Sequence, residues 1–201
     1  MRPLGYLYKR VSSRPDWIKA VSVAEIYSLS GCVSPNFADY INYWKHNGFW
    51  LFDSPQVIQT LAREHSIPLA GLKLFYYEAH EEEFDDEQKK WVPYEPEASF
   101  STSVVEPKHK TLEGFDVTCF TLHTSPECSP LSCNSCAEVL PTNSRCLFRT
   151  FEEATQAIEQ GAFENAEPGP YRVIAVYSTN DANPALNPVR FALRRLRDNS
   201  A

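Results

Sequence analysis

No window of this chain approaches the run of about eighteen apolar residues that a helix needs to cross a bilayer, so no membrane partner is expected. Met1 to Lys9 has neither an apolar stretch of signal-peptide length nor a small-residue cleavage site, which makes the cytoplasm the expected location. Positive charge is in deficit: 19 Lys and Arg face 26 Asp and Glu, for a formal net charge of −7. Binding along a phosphate backbone needs clustered Lys and Arg, so nucleic acid is not the expected partner. The glycine loops that cradle phosphates and dinucleotides are missing, and so are the His-Glu-x2-His helix and the Gly-x-Ser-x-Gly elbow. Nucleotide, dinucleotide, zincin and α/β-hydrolase chemistries therefore lose their support.

What is present describes a globular chain. Hydrophobic residues make up 43% and aromatic residues 13% of 201 positions, enough for one large domain or two small interlocked ones. One pattern occurs twice. Leu51-Phe52-Asp53-Ser54 leads into a helix with Ile58, Leu61 and Ala62 on one face, followed by the apolar run Leu72–Tyr77. Leu147-Phe148-Arg149-Thr150 leads into a helix with Ala154, Ala157 and Ile158 on one face, followed by Tyr171–Tyr177. The expected fold is α+β: a mixed or antiparallel sheet with helices packed on it, built as two related β-α-β halves joined by a β-meander. Residues 1–80 form the first half and residues 81–113 an acidic, proline-punctuated meander or connector. Residues 114–179 form the second half with a cysteine-rich loop, and residues 180–201 a polar and basic tail, all in one compact unit.

Local signals fill in the elements. Gly5–Val11 alternates as a first strand, and Val21, Ala24 and Ile26 suggest a short helix within Asp16–Ser30. Ser34-Pro35 opens a helix over 36–45 with Phe37, Ile41 and Trp44 on one stripe, and Ser54-Pro55 repeats that start signal. Thr150 and Glu153 have capping-box spacing. Ser99–Val105 and Phe115–Leu122 alternate as strands, and Val189–Leu196 reads as a basic amphipathic turn. The acidic stretch Glu81–Glu87 lacks the Asp-x-Asp-x-Asp-Gly pattern of a calcium loop and reads as a solvated strand end.

The sharpest chemical signal is Cys128-Ser-Pro-Leu-Ser-Cys133-Asn-Ser-Cys136. Its C-x4-C-x2-C spacing resembles the first three ligand positions of plant-type iron–sulfur loops, with Cys146 as an available fourth thiolate. Zinc is the rival metal, since Cys133-x2-Cys136 is half a zinc knuckle that Cys146 or His123 would complete. The loop lacks glycines and there is no second C-x2-C, so no cofactor is expected first and an iron–sulfur cluster or zinc is the alternative. Without metal, Cys119, Cys136 and Cys146 read as small core residues and Cys128 and Cys133 as loop thiols. Cys32, two residues before a helix start, is the candidate nucleophile of an enzyme reading.

The aromatic set Tyr40, Tyr43, Trp44 and Trp50 offers a partner or pocket surface. Taken together, the sequence predicts a non-catalytic cytoplasmic protein that binds another protein, in the manner of inhibitors or immunity proteins. The alternative is a metal- or thiol-dependent protein using the Cys128–Cys136 loop. A small cysteine-dependent enzyme with an aromatic pocket is the weaker third.

Overall fold

The Ser54-Pro55 start signal and the Thr150–Glu153 capping box both open helices in the computed structural model, which describes residues 1–36, 46–120 and 128–180. Of the helix predicted over 36–45, Asn36 bridges to Lys9, and residues 37–45, with Tyr40, Tyr43 and Trp44, lie outside the described residues, as do His123 and the basic tail. The strands are β1 (Arg2–Lys9), β2 (Ser12–Ser13), β3 (Glu25–Ile26), β4 (Lys73–Ala79), β5 (Glu82–Asp85), β6 (Lys90–Pro93), β7 (Lys110–Cys119) and β8 (Tyr171–Thr179). The helices are α1 (Pro55–Glu64), α2 (Pro130–Cys133) and α3 (Phe151–Glu159), with a 3-10 turn at Cys136–Glu138. The class is α+β, with a six-stranded antiparallel sheet and few helices. No described helix is long and apolar enough to cross a membrane.

β4 and β8 sit side by side at the centre, with β1 on the far side of β4 and β7 on the far side of β8. Their near-continuous apolar runs, Leu-Phe-Tyr-Tyr and Val-Ile-Ala-Val, are buried on both faces, as central strands require. α1 buries Ile58, Leu61 and Ala62, and α3 buries Ala154, Ala157 and Ile158, so the stripes read from the sequence are the faces that pack.

The two halves share a detailed hydrogen-bond pattern. Tyr6 and Phe52 exchange backbone bonds in the first half, and Phe115 and Phe148 exchange them in the second. The Asn47 amide donates to Leu4 O and accepts from the N–H groups of Phe49 and Leu51. The Asn143 amide donates to Glu113 O and accepts from Arg145 and Leu147. A glycine with positive φ, Gly5 at 134° and Gly114 at 147°, breaks the register of each outer strand. A Cβ at Gly5 would lie 2.5 Å from Phe52 O and one at Gly114 2.6 Å from Phe148 O, so only glycine fits. Gly5 stands opposite Tyr77, Gly114 opposite Val176, and Tyr77 is itself paired with Val176.

Three local expectations are corrected. Ser99–Val105 is not a strand: its neighbourhood makes single bonds to the 47–53 turn, such as Val105 N to Asp53 O and Gly48 N to Thr102 Oγ1, rather than a ladder. Asp16–Ser30 holds turns and β3 instead of a helix, because Ile18, Val23 and Ile26 are drawn into the core of the second half. The acidic stretch is not wholly solvated. Glu83 pairs with the buried Arg172 at 2.8 Å, whose guanidinium lies between the rings of Tyr94 and Phe120 at 3.7 and 3.9 Å. Asp86 accepts from Gly169 N.

Candidate thiol site

β1 ends on a lysine that the fold buries completely. Lys9 is 0% exposed, and its Nζ donates to Leu29 O at 2.5 Å and to Ser30 O at 2.7 Å. From the second half, Asp116 on β7 is also 0% exposed, and its Oδ2 accepts from Leu29 N at 2.8 Å and from Ser129 Oγ at 2.7 Å. The segment around Leu29 and Ser30 is thus held by a cation on its carbonyls and an anion on an N–H. Asp116 Oδ1 is buried with no hydrogen-bond partner among the described residues.

Three sulfurs gather around this anchor. Ser129-Pro130 opens α2, with proline at the start where its missing N–H costs nothing, and the Cys133 N–H closes the turn on Ser129 O at 2.9 Å. Cys133 Sγ lies 3.7 Å from Ser30 Oγ, and that hydroxyl accepts the backbone N–H of Cys32 at 3.2 Å. Cys128 Sγ lies 3.3 Å from Asn134 Oδ1, and Cys128 O accepts from Cys119 N on β7. Cys32 is exposed, Cys133 half-buried and Cys128 buried.

The electrostatics select one sulfur as the thiolate. The hydrogen bond from Cys128 favours the Cys133 thiolate most, burial opposes it, and bonds from the Ser129 N–H, Ser30 and Cys32 bring its pKa down to about 5. Cys128 moves the opposite way, chiefly because its proton is shared with Cys133 and also because it is buried. The Ser30 hydroxyl favours a Cys32 thiolate, but burial and the charge at Cys133 outweigh it and raise that pKa. Burial lowers Lys9 to about 7 against the attraction of Asp116, Cys133 and Cys32, and burial lifts Asp116 to about 6 against its two hydrogen bonds.

Of the predicted ligand set, the fold brings Cys128 and Cys133 together and adds Cys32 to them. Cys146 stands apart in the core, 0% exposed, with burial pushing its pKa up to about 12. Cys136 packs half-buried against the same core, and burial raises it. Cys128, expected as a loop thiol, lies just before α2 and is buried, with its carbonyl bonded to β7. Among the described residues, no three His, Cys, Asp or Glu side chains converge as a metal-binding group. Trp50 stacks on His46 at 4.2 Å and donates from Nε1 to Glu97, so both its face and its edge are engaged within the chain.

Sequence reasoning passed over Lys9, Asp116, Ser30 and Ser129. A signal existed for two of them. Lys9 and Asp116 are charges set in otherwise apolar strand segments, Tyr-Leu-Tyr-Lys and Phe-Asp-Val, where a buried charge is costly unless it is paired. Compared with known proteins, the chain matches no family model, no curated protein and no solved structure.

Proposed function

We propose that this protein is a thiol-dependent redox protein in which Cys133 is the reacting sulfur. Cys32 and Cys128 are its thiol neighbours, and Lys9 and Asp116 hold the loop that completes the site. The observation that carries this reading is the half-buried Cys133 Sγ set 3.7 Å from Ser30 Oγ, on the loop that the buried Lys9 and Asp116 anchor. The thiolate is the nucleophile in exchange and oxidation, and hydrogen bonds to Cys133 stabilise it. Rate alone is a poor test, because intrinsic nucleophilicity falls as pKa falls and cancels much of the gain in thiolate fraction.

The pH profile is the better test. Alkylation of Cys133 by iodoacetamide should be nearly flat between about pH 6 and pH 8, while an ordinary thiol gains roughly tenfold per unit below its pKa of about 8.5. Peptide mapping of labelled protein reads this directly. A Cys133 rate that climbs in parallel with the other thiols would overturn the proposal.

A second reading, protein binding, is favoured by one surface. Trp17 is 54%, Val21 90% and Val139 85% exposed, and the bond from Lys19 N to Glu138 Oε1 brings the loop carrying the first two against the turn carrying the third. Large exposed apolar residues brought together mark interaction sites. On this reading, capture of a partner from lysate of the source cells is lost in Trp17→Ser with Val139→Ser, while Cys133 labelling is unchanged. Capture that survives both substitutions would remove the surface from consideration.

A further inference from the structure

This step rests on the thiol reading and names the oxidant and the second sulfur. Cys133 is half-buried, and two hydroxyls flank its sulfur: Ser30 Oγ at 3.7 Å and Ser132 Oγ at 4.0 Å. Beneath Ser30 lie the Lys9 ammonium, on the Leu29 and Ser30 carbonyls, and Asp116 with its unpartnered Oδ1. A half-buried sulfur is reached more readily by an oxidant of two or three heavy atoms than by a bulky disulfide. The Ser132 hydroxyl donates to Ser129 O, which leaves the Ser30 hydroxyl as the donor beside the sulfur.

The other two sulfurs differ in what restrains them. Cys128 is buried and tied through its carbonyl to β7. Cys32 is exposed on the rim, and its backbone N–H is bonded to the same Ser30 hydroxyl that touches Cys133. One hydroxyl therefore separates the Cys32 backbone from the reacting sulfur, and an exposed loop residue can close the remaining distance to disulfide geometry.

We propose that Cys133 reduces small hydroperoxides and that Cys32 resolves the product into a Cys32–Cys133 disulfide joining the two halves. The Cys133 thiolate attacks the distal peroxide oxygen, an S–O bond forms and the O–O bond breaks. The leaving hydroxide or alkoxide takes a proton from the surrounding donors, and Cys133 becomes a sulfenic acid. The Cys32 sulfur then attacks the Cys133 sulfur, the S–O bond breaks, and the oxygen leaves as water with the Cys32 proton. Two thiols are oxidised to one disulfide and one peroxide is reduced to an alcohol, or to water, plus one water.

The experiment uses the full reduced chain treated with hydrogen peroxide, followed by rapid alkylation and peptide mapping. The expected product is an intramolecular Cys32–Cys133 disulfide, formed faster with hydrogen peroxide than with the bulkier cumene hydroperoxide. In Cys32→Ser, a substitution at an exposed position, the sulfenic acid should persist on Cys133 and be trapped by dimedone. A Cys128–Cys133 disulfide in the parent would overturn the inference. So would oxidation of Cys32 with Cys133 still reduced, or cumene hydroperoxide reacting at least as fast. A flat alkylation profile without the Cys32–Cys133 product would remove this inference and leave the thiol reading standing. A profile that rises with pH would remove both.

Discussion

At the scale of single residues, the fold places a carboxyl and an ammonium where neither meets water. Asp116 is the more informative of the two because it titrates away from Lys9. A carboxyl raised in the folded state binds its proton more tightly there than in the unfolded chain. Its contribution is fully present below the ordinary carboxylate value and is lost as pH rises toward about 6. Asp116→Asn keeps an oxygen for Leu29 N and Ser129 Oγ and removes the buried charge. The variant's stability deficit should therefore shrink between about pH 4 and about pH 7, by at most ~3 kcal/mol for a shift near two units. Lys9 changes mostly above this window, between its lowered value of about 7 and the ordinary lysine range. Urea midpoints at the two pH values give the answer, and a deficit that stays constant would contradict the burial of an ionised Asp116.

At the scale of elements, two helices with the same type of start signal are capped differently. Thr150 Oγ1 accepts from Glu153 N at 3.2 Å, and the Glu153 carboxylate accepts from Thr150 N and Arg149 N, so the box predicted from spacing is formed. Ser54 has the extended backbone of a cap but makes no side-chain cap bond, and Pro55 already removes one orphan donor. Thr150→Ala should cost about 1 kcal/mol, and Ser54→Ala only a few tenths. Thermal melts of the two variants check the contrast; equal losses would deny it.

Much of this scale was legible because it is local. The α1 and α3 faces, the central strands β4 and β8 and the capping box each follow from residues within one turn or one pleat. The strand expected at Ser99–Val105 failed because alternation cannot show that a neighbouring turn takes its hydrogen bonds one at a time. The thiol site was half legible. Cys128 and Cys133 are visible in sequence spacing, but their third partner, Cys32, arrives through the crossing of a loop from the other half. Only the lysine and aspartate in their strands could have hinted at that crossing.

At the scale of the whole molecule, the halves are interlocked rather than adjacent. Ile18, Val23 and Ile26 from the first half pack with Ile158, Phe163 and Val173 from the second, while Leu147, Ile174 and Val176 join the core around Tyr6, Phe52 and Leu61. The central pairing Tyr77 with Val176 relates the halves, so each position on β1 has a counterpart on β7. Following those counterparts outward from Gly5 and Gly114, Lys9 corresponds to Thr118 and Asp116 to Leu7. A frame that repeats would ordinarily offer the same site twice. Here each half contributes one charge that the other lacks, and both charges meet on the same loop. Occupancy is therefore not two but one per chain: a reagent for the activated thiol should saturate at a single equivalent, however symmetric the sheet beneath it.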